Sequence, residues 1–92
     1  MALSFEWDEA KDLTNQKQHG VSFDEAKSVF GDPSSITIAD EAHSDDEDRY
    51  IDIGLSSLGR VIVVCYTDRP PNIRIISSRK ATKSERKAYE QA

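Results

Sequence analysis

Three strand-like runs follow one another between Tyr50 and Lys80, YIDIGLSS, RVIVVCYTD and NIRIISSRK, with only LG and RPP between them. Connections this short favour neighbouring antiparallel strands, because a parallel pair needs a crossover of about a dozen residues or more. YIDIGLSS alternates, with Ile51, Ile53 and Leu55 on one side, as in a strand covered on one face and exposed at a sheet edge. RVIVVCYTD is apolar on both faces and belongs at the centre of the sheet. Two consecutive prolines cannot continue a ladder, so DRPPN turns the chain.

The first half supplies the rest of the layers. LSFEW alternates Leu3, Phe5 and Trp7 on one side and predicts a short strand. Asp8 fits an N-cap for the helix DEAKDLTNQKQHG, whose inward stripe is expected at Ala10, Leu13 and Thr14 and whose C′ residue is Gly20. Lys11, Asn15, Gln18 and His19 recur at three to four residues and share a neighbouring face. VSFDEAKSVFGDP predicts a second helix with the capping box Ser22/Glu25 and an apolar face of Phe23, Ala26, Val29 and Phe30. SSITIAD is a strand, EAHSDDEDR an acidic solvated loop, and Thr82 with Glu85 forms a second capping box opening TKSERKAYEQA. The expected fold is α+β, in the order β-α-α-β-β-β-β-α: a small antiparallel sheet, two N-terminal helices packed on one face, and a C-terminal helix.

Several function classes drop out. Ninety-two residues suffice for one domain, 1–92, with one core. No apolar run approaches the length of about 18 residues that a membrane span needs, so the expected compartment is the cytoplasm and no membrane partner is expected. Cys65, the sole cysteine, lies in an apolar run and reads as a small hydrophobe. His19 and His43 are far apart, and there is no HExxH, paired-cysteine or calcium-loop pattern, so no metal is expected; Asp45, Asp46, Glu47 and Asp48 read as a solvated charge run. GxGxxG, GxxxxGK and GxSxG are all missing, which leaves no basis for a cofactor or a hydrolase triad.

Charge placement is more informative than the net value of −5. Residues 1–59 carry −10 and residues 60–92 carry +5. In strict alternation Arg74, Ile76, Ser78 and Lys80 share one side of the last strand, and Ile73, Ile75, Ser77 and Arg79 the other. Helix three adds Lys83, Arg86 and Lys87 with Tyr89 nearby, a surface suited to a polyanion such as RNA. The competing reading is a solvated basic helix balancing the acidic half. His19, beside the last carbonyls of helix one, is either a C-capping histidine or a proton carrier near neutral pH.

FEWDEAKDLTNQKQHGVSFDEAKSVFGDP at the front, RYIDIGLSSLGRVIVVCYTDR in the middle and RIISSRKATKSERKAYE at the back resemble the BrnT family of bacterial ribonuclease toxins, from Phe5 to Glu90. One departure is Gln18, where the family commonly has lysine before the HG pair. The resemblance implies a RelE-like fold, RNA cleavage without a metal that halts translation, and neutralisation by a cognate BrnA-like antitoxin, with operator DNA bound only through the antitoxin complex. It places His19 and Lys11 at the helix-one end of a catalytic site and Arg74, Arg79 and Lys80 around the phosphate, while the cationic surface of Lys83, Arg86 and Lys87 with Tyr89 is expected to bind the RNA. Glu85 matches the family's ER pair with Arg86, but its duty as capping partner of Thr82 ranks above a catalytic one. The alternative is a non-catalytic nucleic-acid-binding or protein-interaction module of an autoregulating complex.

Overall fold

A five-stranded sheet forms the centre of the molecule, in the spatial order β1-β5-β4-β3-β2. The computed structural model describes residues 3–40 and 48–91; His43, Asp45, Asp46 and Glu47 of the acidic stretch lie outside the described residues. The elements are β1 (Ser4–Glu6), α1 (Glu9–His19), α2 (Phe23–Ser28) running into a 3-10 turn (Val29–Gly31), β2 (Ile36–Ala39), β3 (Arg49–Leu55), β4 (Val61–Arg69), β5 (Asn72–Lys80) and α3 (Lys83–Gln91).

Strands β2 to β5 form an antiparallel meander, but β1 joins β5 in parallel, Ser4 opposite Asn72 and Glu6 opposite Arg74. The sheet is therefore mixed and not wholly antiparallel. Two helices and three strands separate β1 from its partner, ample chain for the return that parallel pairing requires. A second correction concerns YIDIGLSS: β3 pairs with both β2 and β4 and is internal, and the short β2 and β1 supply the edges. Gly54 of β3 has a packing reason, since a Cβ there would lie 2.8 Å from a Val29 methyl and 2.9 Å from Ser35 Cβ.

One face of the sheet carries the core. Val21, Phe23, Ala26 and Val29 pack on Ile62, Val64, Tyr66 and Ile75, with Phe5, Trp7, Phe30, Tyr50 and Ile73 around them. Ser22 caps α2 by accepting from the Glu25 N–H at 3.1 Å. The other half of the expected box is replaced: the buried Glu25 carboxylate accepts from Arg60 at 2.6 and 2.7 Å and from Ser56 at 2.7 Å. Arg60 also donates to the Gly20 carbonyl at 2.7 Å, tying the end of α1 to the start of β4.

Helix α1 begins and ends as its sequence indicates, with Asp8 accepting from the N–H groups of Ala10 and Lys11 and Gly20 at φ 69°. Its docking face does not. Leu13 is 61% exposed and Ala10 and Thr14 are exposed, whereas Asp12 and Asn15 are buried. The Asn15 amide donates to the carbonyls of Val21 and Ser78, each at 2.8 Å, and its oxygen accepts from the Ser78 N–H at 3.2 Å. Asp12 accepts from the Phe23 N–H at 2.9 Å. Helix α1 thus sits along the edge of β5 that β1, ending opposite Arg74, leaves open, and Asn15 satisfies main-chain groups that a strand would otherwise pair. Among the described residues the core cluster takes Val21, Phe23, Ala26 and Val29 from α2 and its flanks and none from α1, so the expectation of two N-terminal helices packed on one face is corrected. A polar docking face also explains why the apolar periodicity of α1 is weak.

The last strand departs from simple alternation. Tyr66 pairs with Ile75 and Cys65 with Ser77, which leaves Ile76 as an extra residue in a β-bulge. The bulge shifts the period-two pattern by one. Ile73 and Ile75 face the core, while Ser77 and Arg79 emerge on the opposite side.

Candidate functional site

The face of the sheet away from the core bears a groove of about 440 Å³, lined among others by His19, Arg49, Cys65, Ser77 and Arg79. A second groove of about 320 Å³ runs between α1 and β5, past Lys11, Thr14 and Gln18. His19, Ile76 and Ser77 line both, so His19 stands where the two meet. Its placement follows from local signals: Asp8 starts α1, Gly20 ends it, and His19 is the last helical residue.

Arg79 reaches the first groove because the bulge turns it there. Its terminal nitrogens donate to the two carboxylate oxygens of Glu85 at 2.7 and 2.9 Å, and Nη1 also lies 3.3 Å from the Lys80 carbonyl. The guanidinium holds the Glu85 carboxyl down at about 2, and Glu85 in turn raises the Arg79 pKa. Glu85 completes its capping box as well, accepting from the Thr82 N–H at 2.9 Å while its own N–H donates to Thr82 Oγ1 at 3.1 Å. Cys65 is half-buried instead of fully enclosed, and burial pushes its thiol up, away from the thiolate form.

Other expected site residues lie elsewhere. Arg74 donates to Glu6 at 2.8 Å across the β1–β5 pair; Glu6, held also by Asn72, has a lowered pKa. Lys80 pairs in register with the core residue Ile62, on the opposite side of the sheet from Arg79, and its charge helps lower the pKa of Glu25. Neither lines either groove. The bulge explains Lys80: without the extra Ile76, it would not share the side of Ile75. Lys83, Arg86 and Lys87 are exposed on α3 and border neither groove. Tyr89 is half-buried and donates to Asp32 at 2.6 Å, which raises its own pKa and lowers that of Asp32.

Arg49 and Asp40 also line the first groove, and neither was among the site residues expected from the sequence. The signal for Arg49 was present: Arg49, Ile51 and Ile53 alternate on one side of β3, and extending that alternation by one step reaches it.

The arrangement defines an α+β domain in which a histidine-bearing groove, lined by Arg49, Arg79 and the acidic Asp40, is set on the face of a five-stranded mixed sheet away from the core, with three helices. The sequence model of the family described as "Ribonuclease toxin, BrnT, of type II toxin-antitoxin system" matches residues 7–85, and the chain belongs to that family. The 1.1 Å crystal structure of the Brucella abortus ribonuclease toxin BrnT has a similar fold, with a TM-score of 0.67 and 22% identity, covering 89% of this chain and 100% of that one. A search of curated proteins finds no match to the sequence. Among the described residues no helix is long and apolar enough to cross a membrane.

Proposed function

We propose that the chain is a RelE-like ribonuclease toxin domain, acting as one unit in the bacterial cytoplasm, that cleaves RNA without a metal and is neutralised by a BrnA-like antitoxin. The observation that carries the reading is that His19 and Arg79 line one groove, although 60 residues separate them in the sequence. Metal-free cleavage needs a base for the 2′-hydroxyl proton, cations against the charge on phosphorus, and an acid for the departing 5′-oxygen. His19, at the junction of the grooves, is suited to the proton transfer. Arg79 and Arg49 supply positive charge in the first groove and Lys11 in the second.

In this scheme the 2′-oxygen bonds to phosphorus as its proton leaves, and the 5′-oxygen departs with a proton. The products carry a 2′,3′-cyclic phosphate and a 5′-hydroxyl. Arg74 and Lys80 take no part, and Lys83, Arg86 and Lys87 attract RNA at longer range. The test is an RNA cleavage assay on purified chain, with and without EDTA and with and without the co-expressed product of the adjacent reading frame. Cleavage that survives EDTA, leaves cyclic phosphate ends and is suppressed by the partner supports the proposal. RNA that is bound but never shortened overturns it in favour of a non-catalytic module.

A further inference from the structure

Helix α3 has no buried residue, so apolar packing does not hold it in place. Its half-buried residues are Glu85 and Tyr89, one turn apart on one side. The first is bound to Arg79 at the groove, the second to Asp32 beyond the core. Asp32 is itself fixed: Oδ2 accepts from the Leu55 N–H at 2.8 Å and Oδ1 from the Ser34 N–H at 3.0 Å. An unbroken series of hydrogen bonds therefore runs from the β3 main chain through Asp32, Tyr89 and one turn of helix to Glu85 and Arg79.

We propose that Asp32 and Tyr89 are positioning residues that latch α3, so that Glu85 presents one particular edge of Arg79 to an RNA phosphate in the groove. A guanidinium has five N–H donors. Glu85 and the Lys80 carbonyl take three of them in Arg79, all on its two terminal nitrogens. The Nε–H and one Nη2–H, adjacent on a single edge, are left among the described residues, and such an edge matches two phosphate oxygens. A swinging arginine would lose that alignment; one clamped by a helix pinned at its far end keeps it ready before the substrate arrives. The proposal rests on the ribonuclease reading for its substrate, but the latch itself is a property of the free protein.

The experiment uses Tyr89→Phe, which removes only the hydroxyl of a residue that lines neither groove, in two backgrounds, native and Arg79→Lys. If Tyr89 acts through Arg79, Tyr89→Phe lowers kcat about tenfold with KM little changed in the native background and has almost no effect beside Arg79→Lys. Equal losses in both backgrounds, or a loss confined to KM, would overturn the proposal. A second measurement needs no RNA: in ¹⁵N-labelled protein the Arg79 Nε–H resonance should shift and exchange faster with water in Tyr89→Phe, and an unchanged resonance would also overturn it. Because this arm would report even on a chain that cut no RNA, failure of the latch and failure of the ribonuclease reading give different results.

Discussion

His19 and Lys80 show how differently two sequence-nominated residues can stand in the folded chain. His19 occupies the junction of two grooves, whereas Lys80 lies across the sheet from both. Replacing His19 by Ala should lower the single-turnover rate of RNA cleavage by roughly 10²-fold or more, the usual scale of a lost general acid or base, without lowering the melting temperature. Lys80→Ala should leave the rate within about twofold, its charge being felt only at long range. Comparable losses in the two variants would remove the basis for centring the site on His19. The helix-end signals made His19 legible, because Asp8 and Gly20 are capping residues whose chemistry is local. Lys80 was misplaced because its side of the strand depends on Ile76, and nothing in the run NIRIISSRK marks a bulge.

At the scale of elements, strands and caps could be read directly, and docking could not. The apolar alternation of β3, the continuous apolar run of β4 and the two prolines after it encode the meander, since each depends on neighbours a few residues apart. The placement of α1 depends on a contact across 63 residues between Asn15 and the Ser78 main chain, made by a polar side chain that hydrophobic periodicity ignores. Asn15→Ala leaves three buried main-chain bonds without their partner and should cost about 2–4 kcal/mol in urea unfolding. Asn15→Asp should be worse than Ala. A carboxylate can accept from the Ser78 N–H, but it faces the carbonyls of Val21 and Ser78 with no proton to donate, adding a buried charge against two oxygens. If Asp is tolerated better than Ala, the amide is not what seats the helix. Since α1 delivers His19 and Lys11, both variants should also lose activity before they lose secondary structure.

Across the whole molecule, carboxylates of opposite character set how stability responds to acid. Hydrogen bonds from Arg79 hold Glu85 at about 2 against an ordinary 4.5, and a bonded arginine also lowers Glu25. Groups depressed in the folded state add stability that is complete above their unfolded value and disappears as pH falls through the folded one. Thermal stability should therefore decline from about pH 4.5 downward, and Glu85→Gln should flatten that decline at a cost of about 1 kcal/mol at neutral pH, the partner arginine being partly exposed. Asp52 behaves in the opposite sense. It is buried on β3, between β2 and β4, where Oδ1 accepts from Thr37 at 2.7 Å and from Tyr66 at 3.0 Å, and burial raises its pKa. A raised carboxyl favours folding below its unfolded value of 3.8 and loses that advantage as pH rises through the folded one, so at neutral pH the ionised group opposes folding. Asp52→Asn keeps an oxygen for both donors and removes the charge. It should raise the melting temperature at pH 7, and the difference from the native chain should shrink toward pH 3 as Asp52 takes up its proton. A gain that stayed constant across that range would mean that the carboxylate is not what the core resists.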